Sequence, residues 1–360
     1  MTTLNYIPFD SHVHFRRGAM LRTVVPYTAR QCWGAVVMPN TATPHILTPD
    51  DADAYRNEIL FASHPVVGEN FVPLVTGYLT PKTDPIDIAH GYKKGKWHGM
   101  KVYPPGATTH SNEGVAARDL LTHPALPVMA DIGMPLLLHP EVNALHGDIV
   151  DPYDRERLFV DTLEELLYRY PTLRLSVEHV TDEATARFMM SYGKTGQVVC
   201  TITAQHLLFD RRDLHEDGWQ PHLFCYPILK RKKSRDAVIA LATGGFGFVS
   251  AGTDSAPHPT HAKERAAGCA GGVFSAHIMV ELYAQAFANA GALDKLEAFL
   301  CVNGPRFYGL KPCPGTVNIV ESARAIDAMI AIEGGDKLRP FGFHEDPSKA
   351  FKLRYRPIFH

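Results

Sequence analysis

No stretch of this 360-residue chain is apolar for long enough to span a bilayer, and neither sign of charge dominates. With 36 Lys and Arg against 38 Asp and Glu, the formal net charge of −2 gives no electrostatic reason to expect nucleic acid or an anionic membrane. The six cysteines, at 32, 200, 225, 269, 301 and 313, include no C-x-x-C pair and lie mostly in apolar segments. Reduced thiols in a cytoplasmic protein are expected rather than a disulfide framework. The start, "MTTLNYIPFD", lacks the basic head and apolar core of a secretory signal. No G-x-G-x-x-G turn follows the first apolar run, which argues against the dinucleotide-binding form of an open doubly wound sheet. Neither a repeat nor a low-complexity linker divides the chain.

What is present is a recurring unit. Short apolar, β-branched runs end in polar or reactive residues, and a helix-compatible stretch usually follows. The runs are "YIPFDSH", "GAVVMPN", "FVPLVTGYL", "HGMKVYP", "MPLLLHP", "LRLSVEHV", "QVVCTITAQH" and "FGFVSAGTD". Between them lie stretches such as "DDADAYRNEILFASHP" and "DPYDRERLFVDTLEELLYRYP", with helical spacing and proline stops. Eight strand–helix units predict an α/β fold of the (β/α)8 TIM-barrel type, one domain over residues 1–345, with chemistry at the C-terminal ends of the strands. Beyond about residue 310 the pattern weakens, and residues 346–360 read as a basic, aromatic tail.

The residues closing those strands carry the functional signal. In "DSHVHFR", His12 and His14 point to one side of a strand while Val13 points to the other. Alone, H-x-H is a common accident. Here Lys101, His139, His179 and Asp254 close four further strands, and a barrel brings all those ends to one mouth. Imidazole and carboxylate donors suit zinc and its first-row neighbours. Lys101, in "GMKVYP", has two readings. One is an ammonium that snorkels to the rim or pairs with a carboxylate. The other is an amine whose pKa burial lowers until it adds carbon dioxide and bridges two metals as a carboxylate.

The segments "DSHVHFR", "MPNT", "KVYPPGATT", "LLLHPEV", "EHVT", "PHLFCYPILK", "GTDSAPH" and "CVNGPRFYGL", in this order, resemble the class II bacterial dihydroorotases of the amidohydrolase superfamily. The resemblance spans residues 5–310, and "GTDSAPHPTHAKE" followed by "GCAGG" is its most specific part. It implies two Zn2+ per subunit: one held by His12, His14 and Asp254, the other by His139 and His179, with Lys101 bridging both as its N-carboxylate. It also implies that Arg16, Asn40 and His258 hold the substrate carboxylate, and that backbone groups of Leu223 and Ala270 read the pyrimidine edge. Thr108 and Thr109 belong to a loop that closes over dihydroorotate or N-carbamoyl-L-aspartate, Asp254 shuttles the proton, and the enzyme is a homodimer. Two positions depart from the pattern. Arg17 precedes Gly18 where many relatives have an acidic residue, adding positive charge near the mouth, and Pro140 follows His139 where glycine is common.

Other residues look functional and carry blander readings. Glu178 alternates to the face opposite His179 and is assigned to packing or support of a ligand. Glu141 and His146 are assigned to the surface or to supporting positions, and His206 to a structural hydrogen bond. "LKRKKSR", residues 229–235, reads as a solvated helix start. Cys269 has no neighbouring base to activate it. Competing functions are another cyclic amidohydrolase, of hydantoinase or dihydropyrimidinase type, and a non-catalytic partner of a pathway complex. The complete ligand set argues against the latter.

Overall fold

The computed structural model describes residues 2–360 except 43, 146, 217, 266, 267 and 327. Eight parallel strand positions follow one another around a closed wall: Phe9–Val13, Gly34–Val37, Val72–Val75 continued by Gly77–Tyr78, Met100–Val102, Leu136–Leu138, Leu175–Val177, Val198–Ile202 and Val249–Ala251. Two registered sheets make up this wall, and the chain passes from one to the other at Thr76. A parallel bridge from Val13 to Ser255 closes it, reinforced by Asp254 N–H donating to His12 O at 2.8 Å and His14 N–H to Ser255 O at 3.0 Å. Near-continuous burial of these strands, rather than alternation, is what a parallel sheet covered on its outer face requires.

A helix follows each strand: Gly18–Gln31, Pro49–Val67, Pro85–Lys93, Ala125–Ile132, Val160–Arg169, Glu183–Tyr192, Lys232–Thr243 and Met279–Asn289. Local chemistry sets their ends. Thr48 and Asp51 form a reciprocal capping box, and Asp84 and Asp182 accept from the backbone N–H two residues on. Pro65 does not end its helix. It sits in the last turn, where a missing N–H removes one bond, and the helix stops at Gly68, whose φ of +60° only glycine adopts easily.

Outside the barrel, Thr2–Tyr6, Pro314–Arg324 and Leu353–Phe359 form an antiparallel sheet with the middle segment at its centre. The segment set apart by composition as a tail thus contributes this sheet's third strand. No helix among the described residues is long and apolar enough to cross a membrane.

Candidate active site

The strand ends meet as their residue types predict. His12 and His14 bring their Nε2 atoms within 3.3 Å of each other, and Asp254 Oδ1 lies 3.4 Å from the first and 3.1 Å from the second. The His179 ring packs 5.1 Å from His12 and 4.6 Å from His139. His12, His179 and Asp254, all buried, offer donor atoms within 4.8 Å of one another. Lys101 is 0% exposed, and its Nζ has no hydrogen-bond partner among the described residues. It rests 5.0 Å from the centre of the Tyr103 ring.

Backbone kinks aim these side chains. Arg16, His179 and Asp254 adopt φ of +61°, +42° and +45°; His110 is the other described non-glycine residue with positive φ. Such conformations cost ~1–3 kcal/mol each and persist where surroundings over-determine them. The kink at His179 overturns simple alternation. Glu178 does not face away but turns inward, its Oε2 2.5 Å from His12 Nδ1 and 2.9 Å from Thr201 Oγ1. It thereby orients the His12 ring, the supporting part assigned to it.

Three buried clamps hold the strained ends. Asp10 accepts from His12 N–H at 3.1 Å, Thr253 N–H at 2.9 Å and Thr253 Oγ1 at 2.6 Å, joining the first strand to the last. Glu156 accepts from the N–H groups of Thr181 and Asp182 at 2.9 and 3.0 Å and from the Thr181 hydroxyl, fixing the turn after His179. His179 N–H itself donates to Thr201 Oγ1 at 2.8 Å.

Electrostatics follow from burial and charge. Burial alone would raise the Asp254 carboxyl, but His12, His14 and Lys101 outweigh it and hold it at about 2, so it is ionised at neutral pH. Burial lowers Lys101 to about 8 against the opposing pull of Glu178 and Asp254. It also drives His14 to about 3 and His179 well below the usual histidine range, leaving both neutral, as ligation requires. Burial lowers His139 too, against its contact with Glu141.

Above this cluster a narrow cavity is lined by Arg16, Asn40, Thr108, Thr109, Tyr226 and the Gly271–Gly272 backbone, among others. Arg16 donates through Nε to Pro257 O at 3.2 Å, and its Nη2 lies 3.1 Å from His258 Nε2. Its Nη1 is buried without a partner among the described residues. Asn40 donates to Thr109 O at 2.9 Å and accepts from the Tyr103 hydroxyl at 2.9 Å. Leu223 and Ala270 stand behind the lining. Ala270 N–H donates to Ala262 O at 3.1 Å, and Leu223 N–H to Gln220 O at 3.1 Å.

The blander readings meet the structure unevenly. Glu141 is not on the surface; it is 0% exposed and supports His139 through a 2.7 Å contact with Nε2. His206 engages Thr203 Oγ1 at 2.6 Å and Pro227 O at 2.9 Å, a structural histidine. In the 229–235 run, Lys232 pairs with Asp236 at 2.5 Å, Lys233 with Glu183 at 3.0 Å and Arg235 with Asp210 at 3.1 Å. The Arg17 charge is balanced by Glu58 and lies over the Tyr55 ring. Burial raises Cys269, away from the reactive thiolate. His146 lies outside the described residues. Tyr103, whose hydroxyl donates to Asn40 and whose ring lies beside Lys101, has no part in the expectations from the sequence. For Tyr103 a signal existed, since it follows Lys101 by two residues and shares its side of the strand.

The comparisons with known proteins follow the same line. No family model matches. The chain is 45% identical over 342 residues to the dihydroorotase of Aromatoleum aromaticum, covering 94% of this chain and 96% of that one. It is 46% identical over 330 residues to the dihydroorotase of Ruegeria pomeroyi, covering 91% and 92%. Dihydroorotase from Saccharomyces cerevisiae, solved with 5-fluoroorotic acid, superposes with a TM-score of 0.90 at 26% identity, over 100% of this chain and 99% of that one. That from Campylobacter jejuni superposes at 0.85 and 31%, over 99% and 96%. An L-hydantoinase from Arthrobacter aurescens shares the fold alone, at 0.76 and 16%, over 98% and 82%. With a continuous barrel, a strand-end cluster of the expected residues and near-full-length likeness to these proteins, the chain belongs to the dihydroorotase family, hydrolases that act on a cyclic amide.

Proposed function

We propose that this protein interconverts N-carbamoyl-L-aspartate and L-dihydroorotate at a pair of zinc ions. The observation that carries the reading is Lys101: a fully buried amine without a hydrogen-bond partner among the described residues, set against buried imidazoles and the ionised Asp254. A cation left so would be costly; as an N-carboxylate the same side chain supplies two oxygen donors where donors are needed. The neutral amine adds carbon dioxide and releases a proton. His12, His14 and Asp254 would hold one ion and His139 and His179 the other, with carboxylated Lys101 shared between them. His179 Nδ1, buried without a partner among the described residues, fits this assignment, and the nitrogen and oxygen donors suit zinc. When bound, the metal pair supplies Lewis-acid polarisation of the amide carbonyl and acidifies water to near neutral pKa.

The chain's own residues do the rest. In hydrolysis, Asp254, ionised at neutral pH, takes a proton from the attacking water and delivers it to the departing ring nitrogen. In cyclisation it removes a proton from the carbamoyl nitrogen. Arg16 offers the substrate carboxylate its Nη1, which has no partner among the described residues, with Asn40 and His258 beside it. Thr108 and Thr109 close over the ligand, excluding water and adding bonds that strengthen in the transition state. The backbone groups of Leu223 and Ala270 read the ring edge.

The reading places this activity in a cytoplasmic homodimer, with residues 1–345 as the catalytic unit and 346–360 as its edge. A dihydroorotate assay with metal analysis of the purified protein tests it. Turnover of dihydroorotate far above that of unsubstituted hydantoin, with about two metal equivalents per chain, is expected. The reverse preference would make it a hydantoinase.

A further inference from the structure

Lys263 is 4% exposed, and its ammonium donates to three backbone carbonyls: Phe224 O and Ala270 O at 2.9 Å and Gly272 O at 2.5 Å. No carboxylate among the described residues pairs with it. The adjacent Glu264 turns outward to His222 at 2.7 Å and Arg339 at 3.0 Å. A buried cation held only by carbonyl dipoles is an expensive device, and an apolar side chain of that length would fill the space more cheaply. What it joins explains why it stands there. Phe224 lies on the loop that carries Leu223 and Tyr226, and Ala270 stands behind Gly271 and Gly272, which line the cavity.

That wall is bare backbone. A side chain at Gly271 would strike the Tyr226 ring at 2.5 Å. At Gly272, φ of +149° and the Ala256 carbonyl oxygen 2.4 Å from any Cβ exclude one equally. Gly271 O faces His258 Nε2 at 3.0 Å, and Gly272 N–H donates to Phe224 O at 3.0 Å. With no side chains to adjust, the direction of these peptide groups alone decides what the wall recognises. Two of the three carbonyls that could set that direction end on one ammonium.

We infer that Lys263 is a positioning residue for substrate recognition: its tripod of carbonyl contacts locks the Phe224 loop to the Ala270–Gly272 segment, so that their peptide groups meet the ring edge of a cyclic imide in fixed register. This rests on the proposed reading of those backbone groups. Lys263 touches no reacting atom, so its loss acts on the ground-state complex and the transition state alike, which is the signature of binding rather than chemistry.

The test is Lys263→Met, which keeps the length and volume, and Lys263→Gln, which restores amide N–H donors without charge, both in the full-length metal-loaded enzyme. KM for dihydroorotate and the Kd of 5-fluoroorotic acid should rise about tenfold in Lys263→Met, with kcat within about threefold and metal content unchanged. Lys263→Gln should fall between it and the parent. A merely structural lysine would lower Tm and the active fraction while leaving KM of the folded molecules alone. A KM within twofold of the parent in folded Lys263→Met overturns the inference, as does a fall in kcat matching the rise in KM. The parent enzyme separates the two readings: no turnover of dihydroorotate there sinks the proposed function, whereas normal parent turnover with unchanged variant KM sinks only this one.

Discussion

The floor and the side wall of the cavity recognise by different means. The floor is made of side chains, His12, Lys101, His139, His179 and Asp254, each a chemically distinctive group set at a strand end. The Gly271–Gly272 wall presents peptide groups and owes its shape to a lysine behind it. Chemistry needs particular donors and acids, which only side chains supply. Recognition of a ring edge needs N–H and C=O groups at fixed angles, which any backbone supplies if it is held. The floor is therefore sensitive to residue identity, and the wall to whatever fixes its conformation.

Changes in the floor should have the largest effects. Lys101→Ala should cut kcat by about three orders of magnitude or more and release at least one metal equivalent, since the floor would lose its shared donor. Full activity with unchanged metal content would refute the bridging role. Asp254→Ala should leave the circular-dichroism spectrum intact while abolishing turnover, and appreciable hydrolysis would remove it as the proton carrier.

The rim lies between these extremes. Thr108→Ala combined with Thr109→Val should lower kcat roughly 10- to 100-fold with metal content unchanged, because loop closure acts in the transition state. Comparable turnover in the double variant would place closure elsewhere. Arg16→Met should chiefly raise KM, and an unchanged KM would mean that the anion is held by other groups.

The smallest effect concerns a clamp. Burial raises the Glu156 carboxyl to about 7, above its value in the unfolded chain. The folded state therefore favours its protonated form. That contribution is complete below the unfolded pKa of about 4.5 and is lost as pH rises through about 7. Glu156→Gln should flatten this part of the Tm profile between pH 5 and 7.5. An identical profile in both proteins would show that Glu156 does not titrate in that window.

The floor was legible in the sequence because its residues are rare in apolar strands and recur at strand ends. Glu178 was misplaced by alternation, since the left-handed φ at His179 cannot be read from a run of letters. Glu141 looked like a loop carboxylate until folding buried it against His139. Lys263 lies within "GTDSAPHPTHAKE", but its part could not be read there, because its partners lie 39, 7 and 9 residues away and are carbonyl oxygens that every residue possesses.

The sequence by itself determined the strand–helix rhythm, the barrel and the chemical identity of the groups at its mouth, because hydrophobic periodicity and distinctive side chains are written residue by residue. Only the tertiary structure decided which carboxylates turn inward, which strained backbones aim the imidazoles and which lysine holds the wall. Those outcomes depend on contacts between segments far apart in the chain, where burial and hydrogen bonding override local preference.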